Sequence, residues 1–197
     1  SGALSQTSFE VDKAGLTAAT AFVLTVEPFP DNSAAPSEQK LIAGDFNGSN
    51  ASASINHPAA FNQNFSTAMG KYILATPTTA STTDELSGVW FIDNSSGSPM
   101  AGLSLPALPA GWKYEGWALI SGKPVSTGVI SSASSADSFS GYSGTAAMPP
   151  FPGEDFIMNV PAGLSFPANL SGGLAVISVE PFPDNSPDPF LLKPLVG

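Results

Sequence analysis

Eight consecutive residues, VEPFPDNS, occur twice in this chain, at positions 26–33 and 179–186. The likeness continues at the same offset of 153 positions, because AFVLT precedes the first copy where LAVIS precedes the second. Both segments also run on through a lysine to a glycine. A pattern shared over about 24 positions predicts a duplicated unit, whereas a single octapeptide could be a turn that arose twice.

Each copy predicts a strand, a proline corner and a returning strand. Apolar side chains alternate before both corners and therefore share one strand face. They are Phe22, Leu24 and Val26 in the first copy, and Ala175, Ile177 and Val179 in the second. Pro28 and Pro181 lack an amide donor and end these strands, and the Pro-Asp-Asn that follows is typical of turns. The letters KLIAG and KPLVG supply the returning strands.

An acid and a lysine stand 13 residues apart in both copies, Glu27 with Lys40 and Glu180 with Lys193. Adjacent strands would bring each pair together at the corner, so we interpret the four residues as structural. The alternative is a set of oxygen ligands for calcium, namely Glu27, Asp31, Asn32, Glu180, Asp184 and Asn185. Because these stretches lack the EF-hand spacing, we predict no metal and no cofactor.

The rest of the chain is typical of short strands joined by turns. It contains 19 glycines and 19 prolines, and 42% of its residues are hydrophobic, enough for a packed core. The stretch 111–130 predicts a hairpin with apolar residues on both faces and a turn at Ser121-Gly122. The stretch 131–147 predicts a loop, and Glu154-Asp155 after Pro-Gly predicts a turn. We therefore predict an all-β fold, an antiparallel β-sandwich built from a duplicated unit.

The two copies are not equally complete. The hairpin that contains Trp117 precedes Glu180, but Glu27 has no such hairpin before it. We therefore predict that residues 1–65 form the C-terminal part of a first repeat and residues 66–197 a more complete second repeat, the two able to pack as one compact domain. Either the missing strands lie upstream in a longer chain, which we favour, or residues 45–65 complete the first repeat.

Charge and composition exclude several classes of partner and site. Six basic residues against 16 acidic ones give a formal net charge of -10, so the chain cannot neutralise nucleic-acid phosphates. The absence of cysteine excludes disulfides and thiolate metal sites. No apolar run approaches the ~18 residues that a transmembrane helix needs.

Catalytic patterns are sparse. The single histidine, His57, lies in a polar segment beside a proline, and no Gly-x-Ser-x-Gly motif occurs. A glycosidase-like carboxylate pair drawn from Glu115, Glu154 and Asp155 is the remaining enzymatic alternative. Aromatic residues could instead form a binding platform, with Trp112, Tyr114 and Tyr142 as candidate surface contacts. Trp90 and Trp117 lie within predicted strands, where packing in the core is the favoured interpretation.

Two stretches resemble a known family. LPALPAGWKYEGWALISGKPVSTGVI, followed after a loop by GGLAVISVEPFPDNSPDPFLLKPLVG, is similar to the extracytoplasmic C-terminal domain of the anti-sigma-K factor family. The resemblance is carried by Gly122, Pro124, Val125, Ser126 and Gly128 of the hairpin and by Val176, Glu180 and Pro181 of the terminal element. It covers about residues 101–197 and lacks the family's sigma-binding helical segment and transmembrane helix.

The resemblance implies a non-enzymatic sensory or interaction module outside the bacterial inner membrane, in the periplasm or at the cell surface. Its partner would be a protein of the cell envelope, and it would be held by an upstream lipid anchor or membrane helix, or be free-standing, as in a lipoprotein. We expect it to act by protein–protein contact at an open strand edge or long loop. The alternative is a carbohydrate-binding or adhesive β-sandwich protein of the cell surface.

Overall fold

The computed structural model describes residues 8–184 and 186–197. Within this part of the chain it contains one short helix, and every strand pairing is antiparallel. The prediction of an all-β fold is therefore confirmed. The elements are α1 (Lys13–Ala18), β1 (Ala21–Thr25), β2 (Lys40–Asn47), β3 (Asn50–Ala51), β4 (Met69–Gly70), β5 (Ile73–Leu74), β6 (Gly88–Trp90), β7 (Ile92–Asp93), β8 (Met100–Ala101), β9 (Leu103–Ser104), β10 (Trp112–Ile120), β11 (Lys123–Ile130), β12 (Gly153–Asp155), β13 (Ala175–Pro181) and β14 (Leu195–Val196).

The chain divides into two compact units, unit 1 (Ser1–Gln63) and unit 2 (Asn64–Gly197). The division lies two residues before the boundary proposed from the sequence. Unit 1 contains α1 and a three-stranded sheet in the order β1-β2-β3. Its buried apolar residues are Ala43, Ala60 and Phe61.

Unit 2 is built around a four-stranded sheet in the order β11-β10-β13-β14. A three-stranded sheet, β12-β6-β5, and the two-stranded pairs β4-β9 and β7-β8 complete it. Gly116 of β10 faces the ring of Phe91, since a Cβ added at Gly116 would lie 2.9 Å from a carbon of that ring. This close approach of the four-stranded sheet to an aromatic side chain is compatible with the predicted β-sandwich.

The predicted hairpin is present as β10 and β11. Ser121 and Gly122 form its two-residue turn with φ values of 52° and 77°, as a type I′ turn requires. A register shift between Gly116 and Trp117 interrupts the ladder. All three tryptophans of the chain are buried in this unit, Trp90 at 1%, Trp112 at 4% and Trp117 at 1% exposure.

The stretch Gly153–Asp155, predicted from the sequence as a turn, is a strand that pairs with β6. Both of its carboxylate residues are fully buried, and buried hydrogen-bond donors compensate Asp155. The donors that bond Asp155, Thr78 and Trp90, are distant from it in sequence, so local sequence patterns do not reveal this strand. The turn-forming residues Pro152 and Gly153 therefore decided the prediction. No helix among the described residues has the length and apolar character needed to cross a bilayer.

Candidate interaction site at the edge of strand β1

The two copies of the octapeptide form the same local corner. An aspartate carboxylate accepts a hydrogen bond from a serine amide two residues later in each, Asp31 from Ser33 at 2.8 Å and Asp184 from Ser186 at 2.9 Å. The peptide bond before the second proline is cis in both, at Phe29–Pro30 and Phe182–Pro183. The repeated letters therefore define a repeated backbone conformation, while descent from a duplication stays a prediction.

Glu27 and Glu180 hold the two corners in the same way. Glu27 Oε1 accepts a hydrogen bond from the Ser37 amide at 2.9 Å, and Glu180 Oε1 accepts one from the Phe190 amide at 2.9 Å. The receiving amide is ten residues after the glutamate in both. Each carboxylate thus ties the end of the first strand to the chain that returns from the corner.

The lysines of the corner do not pair with these acids. Among the described residues, no ion pair joins Glu27 to Lys40 or Glu180 to Lys193. The Lys193 ammonium instead donates to the Phe190 carbonyl at 2.6 Å. Backbone amides of Ser37 and Phe190 therefore bond the two carboxylates in place of the predicted lysines.

The calcium alternative finds no support in the described part of the chain, where no group of three or more metal-ligating acids or histidines converges. Asp31 and Asp184 are engaged with serine amides instead. Asn185, one of the six candidate ligands, lies outside the described residues.

The two strands that each corner joins pair in the same register in both units. Cα partners Val23 and Ala43 of unit 1 correspond to Val176 and Val196 of unit 2. A backbone hydrogen bond also recurs at the same offset, from Val26 to Gln39 at 2.9 Å and from Val179 to Leu192 at 2.8 Å. The β1–β2 and β13–β14 pairs are therefore equivalent, and one can serve as a template for the other.

The second edge of β13 is covered by β10. This pairing runs from Trp112 opposite Pro181 to Ala118 opposite Ala175. Trp117 lies opposite Val176, and its indole N–H donates to Ser178 Oγ at 2.7 Å. The Ser178 hydroxyl in turn donates to Glu180 Oε1. A tryptophan, a hydroxyl and a carboxylate are thus joined in one buried chain of hydrogen bonds.

The equivalent edge of β1 is open. Val26 donates to Gln39 and Thr20 accepts from Phe46, so these residues direct their backbone groups toward β2. Because backbone groups alternate between the two edges of a strand, those of Val23 and Thr25 point the other way. In residues 8–184 and 186–197, no backbone hydrogen bond reaches that side of β1. We call it the open edge, comprising residues 23–27.

Apolar side chains accompany the open edge. Phe22 is 45% exposed and Val23 is 37% exposed, whereas their counterparts Ala175 and Val176 are 7% and 5% exposed. Residues 45–65 do not complete unit 1 at this edge, because β3 pairs with the far side of β2. An unpaired strand edge beside exposed apolar side chains is the feature by which proteins accept another strand.

The pKa values of the two corner glutamates shift in opposite directions, because only Glu180 is covered. The Ser37 amide and the Thr25 hydroxyl lower the pKa of the exposed Glu27. Burial beneath β10 raises the pKa of Glu180, against the hydrogen bonds from Ser178 and Phe190. A strand that covered the open edge would therefore bury Glu27 and raise its pKa, as burial does for Glu180.

Two of the three aromatic residues proposed as a surface, Trp112 and Tyr114, are core residues. Trp112 is buried and its ring lies 5.8 Å from that of Phe190. Tyr114 is buried and its hydroxyl donates to the Pro106 carbonyl at 2.7 Å. Tyr142 is half-buried and packs edge-on against Phe139 at 4.9 Å. Trp112 and Tyr114 belong to a hairpin with apolar residues on both faces, which buries their rings, whereas Tyr142 lies in the loop after β11 and stays partly exposed.

The carboxyl groups considered for catalysis are not arranged as an open pair. Glu154 and Asp155 are fully buried neighbours on β12, and successive side chains of a strand point to opposite faces. Asp155 Oδ2 accepts from the Thr78 amide at 2.9 Å and Oδ1 from the Trp90 indole at 2.8 Å. Asp155 is thus a structural acceptor that fastens the β5–β6 region.

Glu154, which is fully buried, interacts with another acid, the half-buried Asp137. The pKa of each is raised to about 7, mainly by burial, and the Asp137 charge contributes to the rise at Glu154. Glu154 Oε1 accepts from the Tyr142 amide at 3.0 Å, and Asp137 Oδ2 accepts from the Gly153 amide at 2.9 Å. These bonds connect the loop after β11 to β12, so the acids stabilise a loop rather than line a cleft.

His57 has local structural contacts. Its Nδ1 accepts from the Ala59 amide at 3.1 Å, and its Nε2 lies 3.4 Å from Asp45 Oδ1. A catalytic imidazole needs a nucleophile or a water to act upon. The imidazole of His57 instead contacts the Ala59 amide and the exposed Asp45. The ring therefore organises the polar segment after β3.

Sequence reasoning missed Thr25, Ser178 and Asp137. The first two occupy the same place in the two copies and both carry a hydroxyl, so comparing the repeats position by position could have found them. Asp137 gave no signal, because an isolated aspartate in a Ser-rich loop is indistinguishable from a solvated one until the fold buries it.

No family model, curated protein or solved structure matches this chain. The resemblance to the anti-sigma-K factor family therefore stays a prediction.

Proposed function

We propose that this chain is a non-enzymatic interaction module that binds a protein partner by adding a strand of the partner to the open edge of β1. The extracytoplasmic location, in the periplasm or at the cell surface, and the similarity to the anti-sigma-K factor C-terminal domain belong to the same proposal. They rest on the sequence resemblance.

The single observation that carries the proposal is the difference between two equivalent edges. The edge of β13 is covered along its length by β10, while the same edge of β1 carries no partner among the described residues. Main-chain hydrogen bonds would supply affinity, and the exposed Phe22 and Val23 would supply apolar contact. The net charge of -10 further favours a partner strand that carries basic residues.

Hydrolysis has weaker support than binding. The acids whose pKa values are raised, Asp137 and Glu154, are engaged with the backbone of a loop and of β12. Carbohydrate binding, the alternative function, would need exposed aromatic rings stacked on sugar, and the candidate rings Trp112 and Tyr114 are buried. Strand addition is therefore the function that the geometry supports best.

The proposal is tested by selecting strand-forming peptides from a displayed library on the immobilised full chain. Selected peptides are then titrated against Val23→Pro, which removes an amide donor from the open edge. Val23→Ala is the matched control because it shortens the same side chain and keeps the amide.

We expect Val23→Pro to weaken binding by more than ~10-fold and Val23→Ala by less, since several main-chain hydrogen bonds depend on the edge. Chemical-shift changes should centre on β1. Peptides that bind both variants equally, or whose shift changes map elsewhere, would show that the open edge is not the binding site.

A further inference from the structure

We propose that the partner strand carries a tryptophan whose indole N–H is received by Thr25, beside Glu27, in the way that Trp117 is received by Ser178 beside Glu180. The inference rests on the proposed function and names the chemistry of the strand that the open edge accepts. The occupant is an antiparallel strand of another protein with the residue pattern of β10.

Unit 2 shows the complete form of the site. Trp117 is 1% exposed, covers Val176 across the strand pair, and donates to Ser178 Oγ at 2.7 Å. Ser178 is fully buried and Glu180 is 2% exposed. Because the Ser178 hydroxyl gives its own proton to Glu180, its lone pairs are left to accept from a donor. The indole, which can only donate, fills that requirement.

Unit 1 carries the receiving half of this arrangement. Val23 stands where Val176 stands, Thr25 replaces Ser178 with another hydroxyl, and Glu27 replaces Glu180. The carboxylate of Glu27 is already held by the Ser37 amide at 2.9 Å, the same length as the bond that holds Glu180. All three receiving residues lie on one face of the strand, since they alternate along it.

Unit 1 offers the indole ring of the partner an apolar surface at Val23 as well as a hydrogen-bond acceptor at Thr25. Val23 is 37% exposed, whereas in unit 2 the equivalent Val176 lies opposite Trp117 and is 5% exposed. A phenylalanine would cover Val23 but leave the Thr25 oxygen buried without a donor, which costs more than the bond itself contributes. A tryptophan meets both requirements with one side chain.

A second folded copy of this chain does not fit as the occupant. Its β10 is paired with β11 on one edge and with β13 on the other, so its tryptophan-bearing strand is not free to leave. The proposed occupant is therefore an unpaired strand of a partner protein that carries a tryptophan at the level of Val23 and Thr25.

The probe for this inference is a synthetic peptide of residues 111–130, which spans the hairpin of β10 and β11, with 5-fluorotryptophan in place of Trp117. Binding to the full-length chain is followed by the fluorine resonance. The peptide is compared with one that carries Trp117→Phe and fluorophenylalanine as the reporter. The chain is compared with Thr25→Val, which removes the hydroxyl, and with Thr25→Ser, which keeps it.

We expect the tryptophan peptide to bind the natural chain and Thr25→Ser, and to bind Thr25→Val roughly 3- to 10-fold more weakly, the range of one hydrogen bond. The phenylalanine peptide should lose a similar factor on the natural chain and little more on Thr25→Val, because both changes remove the same bond. Ser178→Ala should leave binding of the probe unchanged, since the probe does not enter unit 2.

Three results would overturn the inference. They are failure of the probe to bind, equal binding to Thr25→Val and the natural chain, and loss of binding in Ser178→Ala, which would place the probe in unit 2. None of them affects peptides selected from a library that depend on the Val23 amide, so the proposed function can survive. If Val23→Pro has no effect on the selected peptides, the proposed function fails instead.

Discussion

The two copies of the repeat differ in what covers a hydroxyl and a carboxylate, although their sequences are similar. Ser178 and Glu180 are buried beside Trp117, while no strand among the described residues covers the corresponding Thr25 and Glu27. A hydroxyl that passes its proton to a carboxylate is a good acceptor for an indole. The energetic consequence of the arrangement can be measured in unit 2, where it is complete.

Replacing Ser178 by alanine should destabilise unit 2 by about 1–3 kcal/mol, because the Trp117 N–H loses its acceptor in a buried site. Urea unfolding followed by tryptophan fluorescence measures the change, since every tryptophan lies in unit 2. Ser178→Thr is the matched control, as Thr25 occupies this position in unit 1, and it should cost less. Equal losses for the two variants would contradict the role given to the hydroxyl.

The half-buried Asp137 and the buried Glu154 predict how stability depends on pH. Each has a pKa near 7 in the folded state, above the ordinary value of a carboxyl group, so the folded chain binds protons more tightly than the unfolded one. Their contribution is fully present below pH ~4 and is lost as the pH rises through about 7. The free energy of unfolding should therefore fall by on the order of 2 kcal/mol between pH 5 and pH 8.5.

Glu154→Gln provides the control for this pH dependence. It keeps an oxygen for the Tyr142 amide and removes one titrating group, so the loss of stability between pH 5 and pH 8.5 should become smaller. Denaturation curves at the two pH values decide the matter. A variant with the same pH profile as the natural chain would show that Glu154 is ionised throughout, against its burial.

At the scale of elements, the alternation of backbone groups along β1 gives adjacent residues opposite roles. The amide of Val23 faces the open edge, whereas Leu24 faces Ile42 of β2. Proline at Val23 should leave unit 1 folded, and proline at Leu24 should break its sheet by removing a ladder hydrogen bond. Amide spectra of the two variants test this, and dispersion lost equally in both would mean that the Val23 amide also serves the fold.

The elements that could be predicted from the sequence are those whose signals are local. The β10–β11 hairpin follows from apolar residues on both faces and from Ser121-Gly122, and the corners follow from their prolines. The strand β12 could not be predicted, because its acids are tolerated only through donors such as Thr78 and Trp90 that are distant in sequence. The sequence spacing likewise predicted that the corner lysines pair with Glu27 and Glu180. It does not show that backbone amides already bond these two acids.

The candidate site was only partly visible for a related reason. The missing hairpin of the first copy could be noticed by aligning the repeats, and it implied an incomplete edge on β1. The residues that face this edge depend on the strand register. A shift of the register by one residue would turn every side chain to the opposite face. The aromatic residues misled because a central hairpin with two apolar faces buries its rings, as it does for Trp112 and Tyr114.

On the scale of the whole molecule, most of the buried apolar residues belong to unit 2. Unit 1 buries only Ala43, Ala60 and Phe61 among its described residues. A fragment of residues 64–197 should therefore fold by itself, with a cooperative thermal transition and a near-ultraviolet signal from buried tryptophans. A fragment that lacks this transition would show that unit 2 depends on the first 63 residues.

A binding module of this kind should keep one edge of one unit free while the equivalent edge of the other unit is closed by its own chain. Amide hydrogen exchange on the full chain, resolved by residue, measures this difference most directly. Our account predicts rapid exchange at Val23 and Thr25 and slow exchange at the equivalent Val176 and Ser178, which β10 covers. Equal protection at the two pairs of residues would mean that the edge of β1 is already occupied, and would contradict the account.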